Sequence, residues 1–193
     1  MLSISNAHSV DIADRILAAA ASCLVDFGVE RVTLAEIARR AGVSRPTVYR
    51  RWADTRSLVA AVLTDRITGA WRQSSASGVG REALVDRIVA VADRLRHDAA
   101  VMSVLRSAPD VAMVYITQRL GTSQRVLIDA VADELRAAQR DGSVRAGNPR
   151  QLAAMVLLIT QSTIQSAQIV VPILDEQALA AELAHSLNGY LSR

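Results

Sequence analysis

A chain of 193 residues, 51% hydrophobic but only 3% aromatic, can fill one ordinary core, or a small head and a larger body, and must do so with Ala, Leu, Val and Ile rather than rings. Its net charge of +3 comes from arginine alone, with no lysine, and it is unevenly placed: residues 31–56 hold seven arginines against Glu36 and Asp54, whereas residues 73–193 hold twelve arginines against twelve acids. The single cysteine, Cys23, excludes an intramolecular disulfide, and no Cys/His cluster has metal-ligand spacing, so neither a metal nor a cofactor is expected.

Nearly every segment spaces its apolar residues with helical period and no alternating strand pattern stands out, so the expected fold class is all-α, with about nine helices. Residues 1–9 read as a flexible arm. The first helix then runs from about Val10 to a stop at Gly28, with Ile12, Ile16, Ala19, Cys23 and Phe27 on one face. Thr33-x-x-Glu36 has the form of a capping box opening helix two, which Gly42 ends. Ser44 can cap helix three with Pro46 in its first turn, where a missing N–H costs nothing. Asp54 can cap helix four, spanning 54–72, and the Ser/Gly-rich stretch 73–80 follows as a loop. Further helices are expected at about 81–97, 99–107, 110–140 (bent at Gly121), from Asn148-Pro149 to Pro172, and from Asp175 onward. Residues 10–53 are thus expected to form a head and 54–193 a larger body, with helix four joining them. Asp11, Asp14 and Arg15 break the early apolar stretch, so no signal peptide is expected. The apolar run 153–159 is too short to cross a bilayer, and the chain is expected to be cytoplasmic.

The basic segment contains a helix-turn-helix at 33–52. Two helices crossing through a tight turn need a small residue where they touch, a left-handed turn and an apolar plug, and Ala38, Gly42 and Val48 supply these at the required spacing. Helix three then offers Arg45, Pro46, Thr47, Tyr49 and Arg50 outward. Arg45 can pair with guanine O6 and N7, and Pro46 and Thr47 can meet a thymine methyl. Tyr49 and Arg51 suit phosphates. For Arg39 and Arg40 a solvated charged face is an equally good reading.

The run TLAEIARRAGVSRPTVYRRW from Thr33 to Trp52, with Ile16 to Gly28 before it and Asp54 to Leu63 after it, resembles the DNA-binding segment of the TetR family of transcriptional regulators. The resemblance implies two-fold dimers with N-terminal DNA heads and helical ligand-binding bodies. It implies phosphate contacts at Thr33 and Tyr49, and base contacts at Arg45, Pro46 and Thr47, with Ser44 capping. This chain departs from the family at Trp52, usually Phe, and at Thr55, usually a phosphate-gripping Lys, for which Arg56 or the helix-four amides can substitute.

The body carries no catalytic constellation: His8, His97 and His185 are scattered and lack motif partners. An enzyme is therefore not expected, and neither is a membrane partner. Candidate walls of a small-molecule pocket are Met102, Leu105, Met113, Tyr115, Ile116, Met155 and Leu158, although ordinary core is the plainer reading of each. Gln161, Gln165 and Gln168 form a polar stripe on helix eight that faces either such a pocket or a second subunit. Leu179, Leu183, Leu187 and Tyr190, with Gln168, form the expected dimer interface. The expected function is a repressor released from a palindromic operator by an apolar or amphipathic effector. A regulator without an effector, or a helical enzyme or scaffold, are the alternatives.

Overall fold

A computed structural model describes residues 4–75, 77–107 and 120–193, with side chains from Ile12 onward. The described residues are all-helical, without strands, in nine helices: α1 Ile4–Phe27, α2 Leu34–Ala41, α3 Arg45–Tyr49, α4 Thr55–Gln73, α5 Gly80–His97, α6 Ala99–Ser107, α7 Thr122–Arg140, α8 Pro149–Val170 and α9 Glu176–Leu191. Two boundaries differ from the sequence expectation. Helix α1 opens at Ile4 rather than near Val10, so an arm over 1–9 is not observed for residues 4–9. Gly121 does not bend a helix but caps the start of α7, and the stretch from Asp110 to Arg119 lies outside the described residues.

Local chemistry sets the ends. Asn148 Oδ1 accepts from the amides of Arg150 and Gln151 at 3.0 and 3.4 Å, ahead of Pro149. Asp175 Oδ1 accepts from Ala178 at 2.8 Å. The reciprocal capping box forms at Asp54, not at Thr33: Ser57 N donates to Asp54 Oδ1 (2.7 Å) while Asp54 N donates to Ser57 Oγ (3.3 Å). These bonds hold the Asp54 carboxyl below its usual range. At the head of α2, Thr33 Oγ1 accepts from Glu36 N at 3.2 Å, but the Glu36 carboxylate turns to Arg39.

The chain forms two compact units. The first holds residues up to Arg66 together with α6. Its core joins Ile16, Ala20, Cys23 and Leu24 of α1 to Leu34, Ile37 and Ala38 of α2, Val48 of α3, Leu58 and Val62 of α4, and Ala100 and Val104 of α6. Cys23 is fully buried filler, and burial pushes its thiol up. Helix α6 is also tied on by polar bonds: Ser103 Oγ donates to Leu24 O (2.6 Å), and Val29 N donates to Ser107 Oγ (3.3 Å).

The second unit comprises Ile67–Asp98 and Leu120–Arg193, with α5, α7, α8 and α9 around a core that includes Leu84, Val85, Ile88, Leu135, Val156 and Leu187. Helix α9 spends its leucines here. Leu183 and Leu187 are 5% and 0% exposed, and Leu179 and Leu183 lie against Val89 and Ala92 of α5 and Ile164 of α8. Leu183 and Leu187 are thus packed within the chain, while Leu179 stays half-buried. An apolar stripe on a helix demands a cover, and its own chain supplies it. Helix α8 is the opposite case: 22 residues long, with mean hydropathy 1.3 over an 18-residue window of which 17% is buried. By length and composition alone it could cross a membrane, which the short uninterrupted run had hidden.

The α5–α9 contact carries a titratable link. His97 Nδ1 lies 2.8 Å from the Asp93 carbonyl oxygen, and Nε2 lies 3.2 Å from Glu176 Oε1, with Arg96 bridging Asp93 and Glu176. These partners raise the His97 pKa above its ordinary 6.5, the Asp93 carbonyl most. A raised folded-state value contributes stability that is complete below about pH 6.5 and is lost as pH rises through the folded value. The melting-temperature advantage of the unaltered chain over His97→Gln should therefore shrink from pH 5.5 to pH 8. A pH-independent difference in scanning calorimetry would remove His97 from this role.

Candidate nucleic-acid interface

The helix-turn-helix is built by three local devices. Gly42 adopts φ +64°, in the left-handed region, and its amide donates to Arg39 O at 3.2 Å, closing α2. Ser44 Oγ accepts from Thr47 N (3.3 Å) and shares a 2.8 Å hydrogen bond with the Thr47 hydroxyl, fixing the start of α3. Between them Ala38 (1% exposed) and Val48 (0%) fill the crossing. Burying Val48 is worth about 1.5–3 kcal/mol, enough to hold a five-residue helix that has almost no stability alone.

A further clamp was not legible in the sequence. Arg15 of α1 donates through Nη2 to Ala41 O at 2.7 Å and to Gly42 O at 3.4 Å, so a distant cation caps the negative end of α2. Arg40 is likewise occupied: it pairs with Asp26, donates to Ser22 Oγ at 2.8 Å and lies 5.3 Å from the Phe27 ring centroid. Arg39 is held by Glu36, whose carboxyl that bond lowers. Arg39 and Arg40 are thus both paired within the chain, Arg39 on a largely exposed side chain.

What remains outward is the set named from the sequence. Arg45, Pro46, Tyr49, Arg50 and Arg56 are exposed, as are Thr33 and Ser44, while Thr47, Arg51 and Thr55 are half-buried. Tyr49 is 53% exposed, a large ring for a surface position. A groove of about 400 Å³ runs between α2 and α3, lined by Thr33, Glu36, Arg39, Val43 and Arg45.

The pocket and interface candidates are placed differently. Met102 is buried and Leu105 half-buried on α6. Met155 and Leu158 are 41% and 55% exposed on α8, so among the described residues they line no enclosed cavity. Gln161 and Gln165 are half-buried, and Gln161 Oε1 accepts from Gln124 Nε2 at 2.7 Å. Met113, Tyr115 and Ile116 lie outside the described residues. Gln168 is exposed, Leu179 and Tyr190 are half-buried, and the Tyr190 ring lies 4.6 Å beneath the Arg145 guanidinium.

An exposed α3 with a capped start, on a sealed three-helix crossing, is the form of a helix-turn-helix head. The family model for bacterial regulatory proteins of the tetR family matches residues 16–62. An HTH-type transcriptional regulator of Mycobacterium bovis is 65% identical over 191 residues, covering 99% of this chain and all of that one. The fold is similar to the Rhodococcus erythropolis transcriptional repressor QsdR (TM-score 0.69, 19% identity, 94% of this chain and 96% of that one). It is also similar to RolR solved with resorcinol (TM-score 0.70, 14% identity, 96% and 90%). The chain belongs to the tetR family and is a helix-turn-helix transcriptional regulator.

Gly42→Ala should cost about 1–2 kcal/mol, the penalty of a Cβ in the left-handed region, with an added contact 3.2 Å from Arg15 Nη2. Hydrogen exchange over residues 34–49 should accelerate in this variant; unchanged protection there would mean that the turn is not strained as described.

Proposed function

We propose that the chain is a cytoplasmic repressor, without enzymatic activity, that binds a near-palindromic DNA operator as a homodimer and is released by a small apolar or amphipathic effector. The observation that carries the DNA reading is Arg45. It stands exposed at the first position of a capped α3 and has no hydrogen-bond or ionic partner among the described residues, while the neighbouring Arg39 and Arg40 are paired off. A guanidinium left free at the start of a recognition helix is suited to the two acceptors of a guanine edge. Tyr49 and Thr33 flank it for phosphate oxygens, and the half-buried Arg51 is less free for that role than the sequence suggested.

The dimer reading rests on α8 in place of the α9 leucines. Gln151, Met155, Leu158, Ser162 and Ile169 are all exposed at three-, four- and seven-residue spacings, a single uncovered face along an apolar helix. A second copy related by a two-fold axis would cover this face with the same face. It is a simpler cover than a lipid bilayer, because α8 also carries Arg150 and four glutamines. The effector reading is supported by the structural neighbour solved with resorcinol, and by Gln161 and Gln165, half-buried amides in an apolar helix. Such isolated polar groups orient a ligand that apolar area holds. Met102 and Leu105 remain candidates for that site.

Selection of duplexes from a random pool should yield a palindrome. On it, Arg45→Ala should cost about 1–3 kcal/mol and relax preference at one base pair per half-site. Tyr49→Ala should weaken all sequences alike and flatten the salt dependence. Unchanged base preference for Arg45→Ala in anisotropy titrations would remove α3 from the major groove. In sedimentation, Leu158→Arg should give folded monomers, whereas Leu183→Arg, a charge placed in the second unit's core, should unfold α9. A folded dimer for Leu158→Arg would move the interface off α8.

A further inference from the structure

The loop between α7 and α8, residues 141–148, lies within the second unit and is bound to the end of α9. The Arg145 amide donates to Leu191 O at 2.9 Å and its Nε donates to Tyr190 O at 2.8 Å, with the guanidinium 4.6 Å from the Tyr190 ring centroid. From the α7 side, Gln139 Nε2 donates to the carbonyl oxygens of Arg145 and Gly147, both at 3.0 Å. The guanidinium is thus fixed through its Nε and its face, which leaves both Nη groups without a partner among the described residues. Nη1 lies on the Gly147 side, 3.7 Å from where a Cβ on that residue would stand. Here a cavity of about 620 Å³ opens, lined by Gln139, Val144, Arg145, Ala146, Gly147 and Arg193.

A second cation therefore shares the cavity. The Arg193 guanidinium has no hydrogen bond or ion pair among the described residues. Asp141 stands in the same loop, but its Oδ1 accepts from Ser143 N at 2.8 Å, and Ser143 holds its carboxyl below the usual range far more than Arg193 does. No Asp or Glu is among the residues that line the cavity. Two unmatched guanidiniums on one concave wall repel each other, and an anion between them removes that repulsion. The Arg145 fork is already held in place, so binding through it costs little side-chain freedom.

We propose that this cavity binds a small molecule through a phosphoryl group, with Arg145 as the fork that receives it and Arg193 as the second charge. The free Nη1 and Nη2 of Arg145 offer parallel N–H donors that match two phosphoryl oxygens. Two cations suit a dianionic phosphoryl group better than a singly charged carboxylate. Val144 and Ala146 supply an apolar wall for the rest of the molecule. Gly147, at φ +150°, keeps the loop free of a side chain beside the fork. The site is distinct from the effector reading above, since Gln161 stands more than three helical turns along α8 from Pro149. It does not depend on the operator reading either.

The experiment uses the full chain at fixed ionic strength in chloride, with inorganic phosphate, phenyl phosphate and benzoate as probes. Calorimetry gives the affinities, and amide NMR shifts locate the probe. Phenyl phosphate should bind about fivefold tighter than inorganic phosphate, through the apolar contact of its ring, and about fivefold tighter than benzoate. Its shifts should centre on Ala146 and Gly147. Arg145→Met keeps the stem over Tyr190 and should weaken phenyl phosphate about tenfold. Arg193→Gln, a change at an exposed side chain, should weaken it about threefold, and carries the test if Arg145→Met loosens α9. Phosphate also suits the DNA-reading head, so Arg45→Ala is the control and should leave the affinity unchanged. No binding at about 10 mM probe, shifts confined to residues 44–51, or an affinity indifferent to Arg193→Gln overturns the site. Benzoate binding as tightly as phenyl phosphate overturns the phosphoryl assignment.

Discussion

The close crossing of α2 and α3 is the constraint on which the rest depends. It requires Ala38 at the contact, a left-handed residue at Gly42 and a fully buried Val48 beneath a five-residue α3. A helix that short cannot hold its own hydrogen bonds in water, so its shape is borrowed from the core formed by α1, α2, α4 and α6. Val48 from beneath and the Ser44 cap at its start hold α3, and Arg45, Pro46 and Tyr49 stay exposed on its outer side. Arg45 and Tyr49 point away from the chain because nothing in the fold needs them.

The charge distribution follows the same logic. Of the arginines near the motif, Arg15 caps α2, Arg40 binds α1 and Arg39 binds Glu36. Counting the basic residues of 31–56 overstates the positive surface, since two of the seven, Arg39 and Arg40, pair with acids of the same chain. Among the exposed arginines that remain, Arg45 sits at the start of α3, from which we propose that base edges are read. Arg87 is used in the same structural way in the second unit, against a helix end and a ring. This chain, which has no lysine, uses the forked geometry of arginine for construction as well as for recognition.

The head was largely legible in the sequence because its determinants are local. Gly42, Ser44 and Pro46 act within one turn, and Val48 follows Gly42 at a fixed spacing. The capping box was misplaced because Thr33…Glu36 has the residue types of the pattern and Asp54…Ser57, with a serine hydroxyl in place of Glu or Gln, does not, while Arg39, three residues beyond Glu36, outcompetes the backbone for its carboxylate. Long-range arginine contacts were illegible: Arg15 meets Ala41, and Arg87 meets Glu134 47 residues away, with no periodic signal. The second unit misled for another reason. A leucine stripe at Leu179, Leu183 and Leu187 announces that a helix is covered, not what covers it. The cover proved to be α5 and α8 of the same chain, leaving Met155 and Leu158 as the exposed apolar face.

The central claim is that the start of α3 enters the major groove of a two-fold operator. Hydroxyl-radical and guanine-methylation footprinting of the selected duplex tests it most directly. The account predicts two symmetric protected patches about one helical turn apart, with a guanine N7 in each that becomes accessible when Arg45 is replaced by Ala. A single asymmetric patch, or guanine protection indifferent to Arg45, would contradict it.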